Sequence, residues 1–420
     1  MAATQRLSSV LAHLNPLSES TGRAKLLQKN PDDIVITYAA RTSLTKAKKG
    51  ALKDTPIDDL LIALLTIVRE QSNLDPSLVE DVCLGNVLAP GQGYMARSSV
   101  LAAGYPVTTA ASVANRFCSS GLLAVQQIAN QILAGSIEVG IAIGAESMST
   151  CPDDGAPVLS KKITEHALAG QNLQPMGQTS ENVAAQFGIT REMQDAFAAR
   201  SFQRAERAQK EGWSKDEVVP IKVTVKDPKT GEPKEVLADR DDGVRYGTTK
   251  ESLGKIRAAF PQWKPSATTG GNASQITDGA AAVLLMKRSK AEELGQKILG
   301  KFVAATIVGL EPRIMGIGPS YAIPKILGKT GLKVEDVDVF EINEAFASMG
   351  VYCVEKLGLD PEKVNPRGGA IALGHPLGCT GARQVVTALS ELRRQNKRIA
   401  VTSMCVGTGM GMAGVFVSEH

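Results

Sequence analysis

The sequence predicts an α/β protein built from two similar halves with a polar insertion, and three observations predict it. Apolar, β-branched runs alternate with stretches of helical period. Of 420 residues, 43% are hydrophobic but only 4% aromatic, with 40 glycines, a composition suited to helices and sheets packed closely through small side chains. The chain also echoes itself: Val79-Glu80-Asp81-Val82 recurs as Val334-Glu335-Asp336-Val337, and the apolar run 141–145 recurs as 400–404. Both echoes have a spacing of about 255–259 positions, which points to duplication. A chain this long divides into two or three subdomains.

Residues 1–33 are polar and irregular apart from one short amphipathic stretch. A strand is expected at 34–38, a helix at 60–69, a strand at 79–87, a helix at 119–133 and a strand at 138–144. That alternation reads as a largely parallel sheet with helices on its faces. Residues 151–270, rich in Gly, Pro, Lys, Asp and Glu with one clear helix at 191–209, read as a surface insertion rather than core. Strands resume at 279–286 and 337–342 and continue to the C-terminus. The expected division is an N-terminal segment 1–33, a first half 34–150 completed by 271–297, the insertion 151–270, and a second half 298–420. In such a duplicated α/β frame, a site is expected where strand ends of both halves meet.

Composition excludes several function classes. The balance of 47 basic against 43 acidic residues leaves a net charge of +4, enough to help attract a polyanionic small molecule but too small for a nucleic-acid surface. No run approaches 18 apolar residues without charge, so no membrane span is expected. The six cysteines are dispersed and His numbers only four, so no metal site is expected, and free thiols suit an intracellular compartment.

Four motifs carry chemistry. Asn115-Arg116-Phe117-Cys118-Ser119-Ser120-Gly121 leads into an apolar helix. Cys118 therefore stands at a helix N-terminus, where unpaired N–H groups favour thiolate over a thiol that titrates near about 8.5; the plain alternative is a buried core cysteine. The stretch from Gly368 to Gly381 encloses His375-Pro376 among glycines, holding an imidazole suited to proton transfer near neutral pH, or else forming a tight turn with an incidental His. Cys405-Val406-Gly407-Thr408-Gly409 follows a strand and offers a second thiol, or a small residue in a turn. Asn343-Glu344-Ala345-Phe346-Ala347 offers an amide at a strand end that fixes an oxyanion or caps a helix.

Together and in this order, the four motifs resemble the thiolase family from about Ile34 to the C-terminus. The resemblance implies a layered αβαβα core of duplicated halves with an inserted loop domain, and thiolysis of 3-ketoacyl-CoA by CoA. By it, Cys118 is the nucleophile, His375 lowers its pKa and helps stabilise an oxyanion, and Cys405 is the acid/base thiol. Asn343 positions a water, while the N–H groups of Cys118 and Gly407 form a second oxyanion hole. CoA is a co-substrate and no permanently bound cofactor is expected. Met176, Arg245, Ser252 and Ser274 stand at positions matching the family's CoA-contacting pattern, with ordinary loop residues as the alternative.

Two departures stand out. Pro175-Met176-Gly177 replaces the His-Met-Gly usual in short-chain acetoacetyl-CoA members, and Thr408 replaces a glycine common in the last loop. The family further suggests a homodimer or a dimer of dimers. Arg6-Leu7, five residues and His13-Leu14 resemble an N-terminal peroxisomal address read by an import receptor, with a mitochondrial leader as the alternative. The rival functions are a biosynthetic acetoacetyl-CoA thiolase, a hydrolase using Cys118, His375 and Asn343, and an inert acyl-CoA carrier.

Overall fold

The computed structural model describes residues 22–227 and 229–420; the Arg6-to-Leu14 signal lies outside them. Along the chain come β1 (Ile34–Arg41), β2 (Thr45–Lys46), α1 (Ile57–Gln71), β3 (Asp81–Gly85), α2 (Gln92–Ala102), β4 (Ala110–Ala114), α3 (Ser120–Ala134) and β5 (Val139–Ser147). Next are α4 (Met176–Phe187), α5 (Arg191–Lys210), β6 (Ile221–Lys226), β7 (Pro233–Ala238) and β8 (Thr277–Lys287). The chain closes with β9 (Gly300–Gly309), α6 (Pro319–Thr330), β10 (Val339–Ile342), α7 (Ala347–Lys356), α8 (Leu377–Arg394), β11 (Ile399–Val406) and β12 (Met410–Ser418).

The main sheet runs β10-β11-β12-β9-β1-β8-β5-β3-β4, with β2 added beside β8. It is mixed, which corrects the largely parallel expectation. Only β3 with β4, β3 with β5 and β10 with β11 run parallel. The glycine-rich turn between β11 and β12 is too short for a crossover and forces an antiparallel pair.

Duplication is written in the pairing. In the first half β4, β3, β5, β8 and β1 are neighbours in that order, with parallel, parallel, antiparallel and antiparallel joins. The second half repeats this as the isolated parallel bridge at Val364, then β10, β11, β12 and β9. The halves join where Ile34–Ile36 of β1 meets Gly300–Phe302 of β9. The duplication is real, but the four-residue echo lies three residues out of register with it. Val79 follows the turn Pro76–Leu78, so its equivalent is Val337, which follows the turn Val334–Asp336, and not Val334. Those turns also shorten the strands expected at 79–87 and 337–342.

The layers follow from where each helix hides its apolar face. α1 buries Ile57, Leu60, Leu61, Leu64, Leu65 and Val68 at helical spacing, with Asp58 and Asp59 in its first turn facing the helix dipole. It covers the outer face of the first half-sheet, and α6 covers the outer face of the second. α3 and α8 lie between the two half-sheets, and α8 is buried from Gly378 to Leu392. They can lie this close because small residues meet at their crossing. A Cβ on Gly121 would come within 2.6 Å of the Ala382 nitrogen, and one on Gly381 within 2.4 Å of the Leu122 nitrogen.

The expectation that 151–270 is surface alone fails on α5. Ala198, Ala199, Phe202 and Ala205 of that helix enter the central core. Buried ion pairs also fix the segment: Arg41 of β1 donates to Glu217 and Asp241 at 2.7 Å, and Arg367 reaches Glu217 at 3.4 Å. Breaking such a pair by removing one partner costs about 3–5 kcal/mol, so these bonds tie segment and core into one unit. α4, also within the segment, was not anticipated; its apolar spacing is sparse.

Candidate active site

Three positions recur in both halves and build the site. Asn86 follows the end of β3, and Asn343 follows the end of β10. Gly85 pairs with Gly144 and Ile342 with Ser403, so Glu146 on β5 matches Cys405 on β11. Cys118 stands two residues before α3, and His375 two residues before α8. The helix crossing at Gly121 and Gly378 sets both N-termini side by side, and a Cβ on Gly121 would meet the Gly378 carbonyl at 2.8 Å.

Local chemistry pins the Cys118 turn. The Ser120 hydroxyl accepts from the Arg116 N–H at 2.9 Å and donates to the Phe117 carbonyl at 2.7 Å, and the Ser119 hydroxyl donates to Arg116 O at 3.0 Å. Phe117 takes φ 45°, a left-handed conformation that non-glycine residues seldom adopt. The Gly407 N–H, from the loop after Cys405, faces the Cys118 sulfur and favours its thiolate. Gly407 lies against the Phe117 ring, where a Cβ would sit 3.4 Å from it.

Burial corrects one electrostatic expectation. Desolvation pushes the Cys118 thiol up to about 11, and the bonds from Gly407 and its own N–H offset only part of that. In the free protein the helix N-terminus is outweighed. Burial likewise raises the Cys405 thiol well above its usual value, and the nearness of Cys118 and Cys353 adds to the rise. Cys405 and Cys118 therefore lie within one another's field.

The Thr380 hydroxyl holds the His375 ring. It lies 2.6 Å from Nδ1 and 3.0 Å from Pro376 O, and its single proton serves one of the two. The Asn343 Nδ2 lies 3.3 Å from Nε2. Burial, then the Arg383 charge, lowers the imidazole pKa to about 3. Asn343 Oδ1 is buried and accepts from no described donor. A neutral thiol and a neutral base, both dry, suit proton transfer only once a substrate charge begins to develop.

The remaining expected residues frame this centre at different distances. Ser274 donates its N–H to Ala345 O at 2.9 Å, which puts it beside the Asn343 loop. Gln275, its neighbour, accepts the His375 N–H at 3.0 Å and donates to Gly243 O at 3.0 Å, linking the Arg245 loop to the His375 turn. Arg245 is exposed, bonded to Gly270 O at 3.2 Å and 5.5 Å above the Phe202 ring. Ser252 is engaged in a capping box, its hydroxyl donating to Thr249 O at 2.8 Å. Met176 is the exposed first residue of α4.

Sequence reasoning missed Asn86, Glu146 and the part played by Thr380. The available signal was Glu146 itself, a carboxylate at the end of the apolar run Ile141-Ala142-Ile143-Gly144-Ala145. Among the described residues no cluster of His, Cys, Asp and Glu has the makings of a metal site, and no helix is long and apolar enough to cross a membrane.

Comparison with known proteins accounts for nearly the whole chain. Residues 34–289 match the family described as Thiolase, N-terminal domain, and 296–418 match Thiolase, C-terminal domain. The chain is 52% identical to a protein named 3-ketoacyl-CoA thiolase, peroxisomal, of Yarrowia lipolytica, over 99% of this chain and 100% of that one. The dimeric peroxisomal thiolase of Saccharomyces cerevisiae superposes with a TM-score of 0.87 at 48% identity, covering 94% and 100% of the two chains. A second structure of the peroxisomal 3-ketoacyl-CoA thiolase of that yeast, described as five-layered and constructed from two core domains of identical topology, gives a TM-score of 0.78 at 44% identity, covering 94% and 100%.

Proposed function

The chain belongs to the thiolase family, and we propose from that premise how its residues cleave a 3-ketoacyl-CoA. Like the peroxisomal 3-ketoacyl-CoA thiolases it resembles, it acts as an acetyl-CoA acyltransferase of peroxisomal β-oxidation. What supports the residue assignment is that Cys118 and Cys405 lie within one another's field, and that Cys118 and His375 each stand two residues before helices whose first turns meet at Gly121 and Gly378.

Cys118 attacks the 3-keto carbon, and its proton passes to His375 Nε2. The developing oxyanion is met by the Cys118 and Gly407 N–H groups or by the His375 and Asn343 side, where Oδ1 is free to hold a water. The C2–C3 bond breaks, and Cys405 protonates the departing acetyl-CoA carbanion at carbon. CoA then enters, passes its thiol proton to the Cys405 thiolate and attacks the acyl-Cys118 thioester, releasing an acyl-CoA two carbons shorter while the departing Cys118 thiolate takes back its proton from His375. One covalent intermediate and two substrates in turn give ping-pong kinetics.

The segment 151–270 is assigned to covering CoA, with Arg245, Ser274 and Met176 toward it. Ser252 is the weakest of these contacts because its hydroxyl already serves the capping box. The homodimer is supported by the dimeric yeast relative and by β4, whose outer edge at the end of the sheet pairs with no described strand. The import receptor is assigned to the Arg6-Leu7 and His13-Leu14 signal. A cysteine-hydrolase reading draws on the Asn343–His375 contact, but leaves the second thiol without a task.

The deciding experiment is CoA-dependent loss of 3-ketoacyl-CoA across chain lengths. Thiolysis that continues on long chains supports the degradative role. Activity on acetoacetyl-CoA alone would transfer the chain to the biosynthetic branch, and product formed without CoA would make it a hydrolase.

A further inference from the structure

The position in the first half that matches Cys405 holds no thiol but a buried carboxylate, Glu146. Four N–H groups converge on it. Asn86 Nδ2 (2.9 Å) and the Leu88 N–H (3.1 Å) donate to one oxygen, and the Val87 N–H (3.1 Å) and the Gly378 N–H (2.9 Å) donate to the other. Three of these donors belong to the turn after β3 in the first half. The fourth, Gly378, is in the first turn of α8 in the second half, three residues after His375. Glu146 is therefore a strut between halves, and its far end is the helix that carries the imidazole.

We propose that Glu146 is a positioning residue for the thiolase reaction: it fixes the start of α8, and with it His375, against the Cys118 turn. A carboxylate suits the task because it accepts all four bonds and presents no donor of its own. A carboxamide of the same shape would turn an NH2 group toward two of the four N–H donors. The helix start would shift, while the CoA-facing segment 151–270, which makes none of these four bonds, would keep its place. The loss should therefore fall on the chemical step and not on substrate binding, because displacements near 1 Å in a reacting pair cost about a hundredfold in rate. This role rests on the thiolase reading of the site.

The test is steady-state thiolysis by the full-length wild-type, Glu146→Gln and Asn86→Ala proteins, with folding checked by circular dichroism and thermal melting. Expected for folded Glu146→Gln is a fall in kcat of about a hundredfold with KM for the 3-ketoacyl-CoA within about twofold, and for Asn86→Ala a smaller fall of the same kind. An unaltered kcat in Glu146→Gln, or a KM that rises in step with the loss, overturns the role. Should Glu146→Gln fail to fold, Asn86→Ala decides by the same split, and failure of both to fold makes Glu146 a purely structural group and overturns it too. No thiolysis by the wild-type protein would instead overturn the functional reading underneath.

Discussion

The two halves of this chain share one frame and spend it differently. In the first, the strand-end amide Asn86 donates to the strand-end carboxylate Glu146, whose two oxygens are fully occupied. In the second, the matching amide Asn343 faces His375 and leaves its oxygen without a donor among the described residues, and the matching strand end carries the thiol Cys405. Saturation makes the first set a strut, while unspent lone pairs and an ionisable thiol make the second set reactive. Cys118, the first half's contribution at a helix N-terminus, crosses to serve the second set through the Gly407 N–H. Duplication thus supplies two equivalent scaffolds, and chemistry resides where the hydrogen bonding is left incomplete.

The sharpest way to break this comparison is to remove the residue that crosses between halves. Cys118→Ala should show no covalent acyl adduct by mass spectrometry after incubation with a 3-ketoacyl-CoA, and turnover should vanish. Next comes Cys405→Ser, which keeps the shape of the reactive set but weakens its proton donor. C–C cleavage should slow by about 10²–10⁴-fold while Cys118 is still acylated, and unchanged turnover would remove Cys405 from the proton transfer. Asn343→Ala should lower kcat by about 10²–10³-fold if its open oxygen and amide serve an oxyanion. A variant as fast as wild type would reduce Asn343 to a cap.

Much of this was legible from residues alone, and the exceptions share a physical cause. Motifs that combine glycine with a reactive side chain are local, so Cys118, His375, Cys405 and Asn343 stand out singly; only folding pairs Asn343 with His375 and Cys405 with Cys118. The turn between β11 and β12 was visible as Cys405-Val406-Gly407-Thr408-Gly409, yet its consequence, antiparallel pairing and a mixed sheet, depends on which strand lies next. Glu146 was invisible because its meaning lies in donors from Asn86 and Gly378, far apart in the chain. The shift of the Cys118 thiol was misjudged for a related reason. A helix N-terminus can be read locally, but desolvation depends on the whole surrounding protein. The polar composition of 151–270 hid the burial of α5, whose small residues Ala198, Ala199 and Ala205 enter the core without a conspicuous apolar stripe.

A gentler probe titrates the second set. Burial lowers His375 to about 3, below its ordinary 6.5, so the unfolded chain binds a proton there that the folded chain refuses. Stability contributed at this position is complete above the ordinary value and falls as the pH drops through the window from 6.5 to 3. His375→Asn should therefore gain on wild type in that window, by up to about 1.4 kcal/mol for each pH unit, measured by urea unfolding at pH 7.5, 6 and 5. Burial raises Glu341 to about 7 and also raises Glu146, against the pull of its four N–H donors, so as the pH climbs above 4.5 they act in the opposite sense. They remain in both proteins, so the difference between the two proteins isolates the histidine. A pH-independent difference would mean that the imidazole takes up its proton within the fold.

The smallest effect is expected at the turn that delivers Gly407 to Cys118. Thr408 takes φ 66°, a left-handed conformation in which its Cβ crowds the following carbonyl, at a cost of about 1–2 kcal/mol. Its hydroxyl bonds the Gly407 carbonyl, recovering part of that cost and holding the peptide next to the one whose N–H meets Cys118. Thr408→Gly would relieve the crowding but lose the bond and give the unfolded chain more freedom, which removes about 0.4–1 kcal/mol. The net change in stability should stay within about 1 kcal/mol. If the threonine matters to the reactive set, kcat should fall a few-fold with little change in melting temperature. Equal kcat in the two proteins would mean that the Gly407 N–H holds its aim through β11 and β12 alone.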